Sequence, residues 1–171
     1  MTQNLDYGNA INDRIPQTDN CRDEKYCAPT DITCSSYGGF YQWDEVMQYA
    51  NSAGTKGYCP PEWHLPTDAE WQMLINYLIA GIGPPDANSE AGAKLKDMVL
   101  SNGFHALLAG FYYLDNYWAY SALPLTGTKF WTSTASGADK AFARGLNIFN
   151  PSVSYYQSSR ANAFPVRCVK N

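Results

Sequence analysis

The clearest periodic pattern in the chain lies between Cys59 and Ala80, CPPEWHLPTDAEWQMLINYLIA. Trp71, Leu74, Ile75, Leu78 and Ile79 recur at i, i+3, i+4, i+7 and i+8. That is one continuous apolar stripe, so this segment predicts a helix buried on one side. Thr67 stands where its hydroxyl caps the helix, and Glu70, three residues on, completes a capping box. Pro60-Pro61 holds the approach rigid and extended, and Gly81 and Gly83-Pro84-Pro85 end the helix. A second stripe, Trp43, Val46, Met47 and Ala50, predicts a helix of about three turns stopped by Gly54. Ala91, Leu95, Met98 and Val99 predict a third, stopped by Ser101-Asn102-Gly103.

From Phe104 onward the period shortens, charges thin out, and aromatics, Ser, Asn and Gly take over. Phe104 to Tyr113 and Phe130 to Thr134 read as strands. Ala141 to Ile148 and Val153 to Gln157 read as a hairpin around Asn150-Pro151-Ser152, and Phe164 to Val169 as the last strand. Residues 1–37 are polar and turn-rich, with one short strand near Asn4-Leu5 and then a long ordered loop. The expected class is α+β, with two to three helices packed on antiparallel sheets and long ordered loops. No internal repeat or linker splits the 171 residues, so one domain is expected.

Composition narrows the partners. Apolar residues make up 45% and charged residues 16%, which excludes a solvated disordered chain. The formal net charge is −4 and no basic run occurs, so no nucleic-acid partner is expected. No apolar run reaches membrane-spanning length, so no membrane insertion is expected. The first residues show no basic segment followed by an apolar one, so no signal peptide is read.

Cysteines stand at 21, 27, 34, 59 and 168, with no C-x-x-C pair, and His64 and His105 are isolated. A metal site and a cofactor are therefore not expected. Cys168 alternates in phase with Phe164 and Val166, on the inward side of a strand, and Cys59 leads into the main helix. A Cys59–Cys168 disulfide closes a loop of roughly 110 residues, worth up to ~5 kcal/mol in loop-closure entropy. Cys27 and Cys34 can staple a local loop, which leaves Cys21 over. The alternative is five reduced, buried cysteines.

Catalysis finds little support. A nucleophile needs a base beside it, but His64 and His105 sit in packing motifs, and Glu62, Asp68 and Glu70 serve the helix start. The strongest signal is a surface composition. Thirteen Tyr, seven Phe and five Trp are many for this length, and between Phe111 and Arg160 they are interleaved with Asn and Ser. Large amphipathic rings among small polar residues make binding surfaces at low entropy cost. The expected binding residues are Tyr112, Tyr113, Asn116, Tyr117, Asp139, Lys140, Phe142, Arg144, Asn147, Phe149, Asn150, Ser154, Tyr155, Tyr156 and Gln157. Phe111, Trp118, Trp131 and Phe142 are expected to lend packing as well.

CPPEWHLPTDAEW, GFHALLAGFYY, FWTST and the closing FPVRCVKN, with MTQNLDYG and YGGFYQWDEVM upstream, also carry a resemblance. In that order they resemble the repeated domain first named for its many paralogues in Fibrobacter and common in Bacteroidetes. The resemblance covers nearly the whole chain and implies a C-type-lectin-like fold related to the formylglycine-generating enzyme superfamily. It puts Met1 at a position internal to the family pattern, so the chain is expected to be the C-terminal part of a longer protein. The formylglycine-generating relatives use a late pair of cysteines, whereas only Cys168 lies late here. The Glu-Pro-Asn, Gln-Pro-Asp and Trp-Asn-Asp triplets of calcium-dependent lectins do not occur. Some C-type-lectin-like proteins are diversified by retroelements that mutate Asn codons, and the run from Phe149 to Ser159 fits such scrambling. The expected function is thus non-enzymatic recognition of a protein or glycan on another surface, by a domain that is extracellular, on a cell surface or on a phage particle. The alternatives are a remote formylglycine-generating-type or glycan-active enzyme, and a structural module of a surface protein.

Overall fold

The computed structural model describes residues 2–80, 87–96, 103–113, 119–120 and 126–171. Its centre is a three-stranded antiparallel sheet of β7 (Gly127–Ala135), β8 (Lys140–Asn147) and β9 (Asn150–Ser159), in that spatial order. Four shorter strands form a second sheet in the order β3 (Tyr41–Gln42), β10 (Ala163–Phe164), β5 (Tyr112–Tyr113) and β6 (Ala119–Tyr120). The pairs β4 (Trp63–His64) with β11 (Val169–Lys170), antiparallel, and β1 (Asn9–Ala10) with β2 (Glu24–Lys25), parallel, complete the strands. The helices are α1 (Trp43–Val46), α2 (Asp68–Leu78) and α3 (Ala87–Lys96). The class is α+β, as expected.

The helix α2 follows its sequence signals closely. The Glu70 N–H donates to Thr67 Oγ1 at 3.2 Å, and the Thr67 N–H donates to Glu70 Oε2 at 2.8 Å, which is the expected capping box. Trp71, Ile75 and Leu78 are buried, and Leu74 and Ile79 pack at the edge of the same core. The long sheet divides that core in two. Phe130, Leu146 and Val153 face α2 and α3, among Trp71, Ile75, Ala91 and Leu95. Trp131, Ala141 and Ala143 face the other way, among Tyr41, Trp43, Val46, Phe164 and Val166. The helix α3 lies directly on β9. A Cβ on Gly92 would stand 2.4 Å from the Ser152 carbonyl oxygen, so only glycine permits this approach.

Both disulfides of the sequence reading form, Cys59–Cys168 and Cys27–Cys34, and Cys21 is a free, exposed thiol. The first of them joins the entry to α2 with the closing segment. Several boundaries differ from expectation. The first helix spans Trp43–Val46 rather than three turns, because Gln48 and Tyr49 take left-handed φ values of 50° and 57°. The segment Phe104–Tyr113 is strand only at Tyr112–Tyr113. The hairpin reverses at Ile148–Phe149, two residues earlier than Asn150-Pro151-Ser152, and Pro151 lies inside β9. That is tolerated because β9 is an edge strand, where a missing N–H breaks no ladder bond. The closing segment splits into β10 and β11, with Val166, Arg167 and Cys168 buried between them. Met98, Val99 and Trp118 lie outside the described residues.

Candidate binding face

Strand register decides which hairpin side chains share a face, because alternate residues point to opposite sides. Arg144 pairs with Phe130 on one side and Tyr155 on the other, and Phe142 pairs with Gln157. These residues share the helix side of the sheet. Gly145 pairs with Lys129 and with Ser154, and Ala143 pairs with Trp131 and with Tyr156. These share the opposite side. The neighbours Tyr155 and Tyr156 therefore leave the edge strand in opposite directions, and each meets a cation.

On the helix side, the Tyr155 ring lies against Phe142, with centroids 5.1 Å apart. The Arg144 guanidinium sits 4.9 Å from the Tyr155 ring centre and donates twice to Asp68, at 2.8 Å from Nε to Oδ1 and 2.8 Å from Nη2 to Oδ2. Asp68 is the first residue of α2, and its N–H donates to Thr134 Oγ1 at 3.0 Å. This cluster thus ties α2 to β7 and β8 and holds Tyr155 in one orientation. Burial raises the Tyr155 phenol above its ordinary value, and the charge of Asp68 adds to the shift.

On the opposite side, Lys129 Nζ lies 4.0 Å from the Tyr156 ring centre, 4.6 Å from Tyr113, 4.7 Å from Phe111 and 5.5 Å from Phe164. It donates to Tyr113 Oη. Desolvation lowers the Lys129 pKa below its ordinary 10.5. The Tyr156 ring lies flat on the sheet because β8 offers it Gly145, where a Cβ would meet Tyr156 Cε2 at 2.6 Å. A cavity of about 150 Å³ opens beside these residues and is lined by Phe111, Tyr113, Lys129, Asn147, Ser154 and Tyr156 among others.

The predicted binding residues fall into several groups. Tyr113, Asp139, Lys140, Asn147, Phe149, Asn150, Tyr155, Tyr156 and Gln157 are exposed, and Phe142 and Ser154 are half-buried. Among the described residues, Phe149 is the most open of the large apolar side chains, at 85% exposure. Two expectations are corrected. Tyr112 is buried: its ring packs on Tyr26 and Phe40, and its hydroxyl donates to the Cys27 carbonyl at 2.6 Å, so it belongs to the core. Arg144 is buried too, drawn under Tyr155 by Asp68. Asn116 and Tyr117 lie outside the described residues. Lys129 was not among the expected residues. Its sequence signal is a single charge inside the strand Gly127–Ala135, which is otherwise uncharged.

Of the residues weighed for catalysis, His64 is held by other contacts. His64 lies 2.6 Å from Asn171 Oδ1 through Nδ1 and 2.8 Å from Glu70 Oε1 through Nε2. Burial opposes its charge, but Asn171 and Glu70 outweigh it and raise its pKa above 6.5. His105 Nδ1 is buried, with no hydrogen-bond partner among the described residues. Four of the five cysteines are in disulfides. Among the described residues, no three His, Cys, Asp or Glu side chains converge to hold a metal ion. A second hollow of about 420 Å³ runs along α2 between Trp71, Met73, Leu74, Tyr77, Phe104 and Val169 and is mainly apolar.

The chain matches the Fibrobacter succinogenes major domain over residues 1–170. No curated protein and no solved structure matches it.

Proposed function

The chain belongs to the Fibrobacter succinogenes major domain family, and we propose that it is a non-enzymatic recognition module. In this reading it binds a protein or glycan on another surface through the β8–β9 hairpin and the rings beside it. The observation that carries the proposal is the exposure of Tyr113, Ile148, Phe149, Tyr155 and Tyr156 on or next to one hairpin. Tyr155 and Tyr156 open to opposite faces of that hairpin, and large exposed side chains gathered on one hairpin mark an interaction surface, since each costs solvation that burial against a partner recovers. The rings stand on a sheet that is packed on both faces, so little ordering is needed on binding. Small polar residues between them, Asn147, Asn150, Ser154 and Gln157, supply adaptable hydrogen bonds.

The C-type-lectin-like reading of the fold stands as part of this proposal. Helices packed on antiparallel sheets and the long ordered segment before Phe40 support it. Two disulfides fit an oxidising, extracellular setting. Retroelement diversification stands here as well. Exposed positions of β9, such as Tyr155, Tyr156 and Gln157, are where replacement disturbs the core least. Deep sequencing of natural populations should then find variation at those positions and constancy at Trp131, Phe164 and Cys168.

The direct test is a binding screen against bacterial cells and surface glycans, run with the wild type and with a Phe149→Ala, Tyr155→Ala double variant. The variant should keep the wild-type circular dichroism and lose affinity on the order of 10-fold or more. Unchanged binding by a folded double variant would sink the proposal.

A further inference from the structure

Lys129 is 5% exposed and belongs to none of the ion pairs among the described residues, which are Lys25–Asp6, His64–Glu70, Arg144–Asp68 and Arg160–Asp44. Arg167 is also buried without a carboxylate, but its guanidinium donates to Asn4 Oδ1, Phe104 O and His105 O. Among the described residues, Lys129 has only the Tyr113 hydroxyl. An ammonium carries three donors, and ring faces soften its charge without accepting a strong hydrogen bond. A buried charge is ordinarily matched by an opposite one, because desolvation is otherwise uncompensated. Among the described residues the fold therefore keeps a cation under aromatic cover without supplying its anion, and a cavity opens beside the same rings.

The cavity narrows the choice of anion. Its 150 Å³ is about the volume that holds one six-membered ring, which suits a single sugar residue and not a folded peptide segment. Its walls are the flat rings of Phe111, Tyr113 and Tyr156, which suit the C–H face of a pyranose. Ser154 and the Asn147 amide lie in the same lining and can meet ring hydroxyls. We infer that this cavity is a binding site for a hexuronic acid residue, whose carboxylate is received by Lys129 Nζ and whose ring lies against Tyr113 and Tyr156. This rests on the recognition reading and names the class of its ligand. Lys129 acts by charge and hydrogen bonding, with no bond made or broken.

The test uses the intact protein and free glucuronate, with glucose as the same ring lacking the carboxylate and acetate as the carboxylate lacking the ring. Calorimetry gives affinity, and mass spectrometry after brief lysine acetylation reads whether Lys129 is shielded. Glucuronate should bind, protect Lys129 and outcompete glucose and acetate by at least ~10-fold, the ratio expected for one charge-assisted hydrogen bond. Lys129→Met should lose that same factor while unfolding no earlier than the wild type on heating; if it does not fold, protection in the native protein still decides. Equal affinity for glucose, no protection of Lys129, or protection by a glutamate-rich peptide alone each overturns the inference. If another glycan still binds Lys129→Met but is lost in the Phe149→Ala, Tyr155→Ala variant, this inference falls and the recognition reading stands. If nothing binds any form, both fall.

Discussion

The two sides of β9 carry the same parts in different states. Each has a tyrosine from the edge strand, a second ring beside it and a buried cation from another strand of the sheet. On the helix side the cation is Arg144, doubly bonded to Asp68. On the other side the cation is Lys129, with a phenol and no carboxylate among the described residues. The planar fork of arginine suits a fixed bidentate partner, whereas lysine is a point charge that accepts an anion from many directions. The paired side therefore works as a scaffold that fixes Tyr155, and the unpaired side as a place where an arriving ligand completes the electrostatics.

If this contrast is right, removing charge should have opposite effects on the two sides. Asp68→Asn leaves Arg144 buried without its anion and should cost about 2–3 kcal/mol in chemical denaturation. A neutral result would make the two clusters equivalent and end the comparison. Gly145→Ala attacks the unpaired side by geometry. Its Cβ displaces the Tyr156 ring, which should cost about 1–2 kcal/mol and speed acetylation of Lys129. Lys129→Met removes an uncompensated charge and should stabilise the unliganded protein by about 1 kcal/mol.

The pH dependence of that last difference sharpens the contrast. The folded-state pKa of Lys129 lies below its ordinary 10.5. Between the lowered value and 10.5 the unfolded chain binds more protons, so the wild type gains stability as pH rises through that window. The advantage of Lys129→Met should therefore shrink toward pH 10.5, and melting curves of both proteins across that range check it.

The smallest expected effect comes from a third cation, His64, held by Glu70 in the same first turn of α2. Its raised pKa contributes stability that is complete below 6.5 and fades as pH climbs through the folded value. Burial opposes the charge of Glu70, but hydrogen bonds from Thr67 and His64 prevail and hold its pKa below 4.5, so its share is lost only in acid. The melting difference between wild type and His64→Gln should be largest below pH 6.5 and shrink as pH rises above it.

How much of this was legible in the chain depended on whether the signal was local. The helix α2 was, because its cap and stripe lie within a dozen residues of one another and act locally. The hairpin was legible as a hairpin, but its turn was misplaced because Pro151 reads as a turn residue until β9 is known to be an edge. Tyr112 and Tyr113 are alike in sequence, and what buries one of them is Tyr26 and Phe40, more than seventy residues earlier. Lys129 was passed over for the same reason. Its cover comes from Phe111, Tyr113, Tyr156 and Phe164, and no window of sequence holds them together.

The Cys59–Cys168 link has a mechanical consequence. Tension applied between the two ends of the chain passes from Cys59 to Cys168 through the sulfur bridge, bypassing everything between them. Stretch is then confined to the segments before Cys59 and after Cys168. The bypassed loop, with a sequence separation of 109 residues, stores about 360 Å of contour that no pull can draw out while the bridge is intact. Tyr113, Lys129 and the whole β8–β9 hairpin ride in that slack, so a ligand held there is not levered off by unravelling of the strands beneath it.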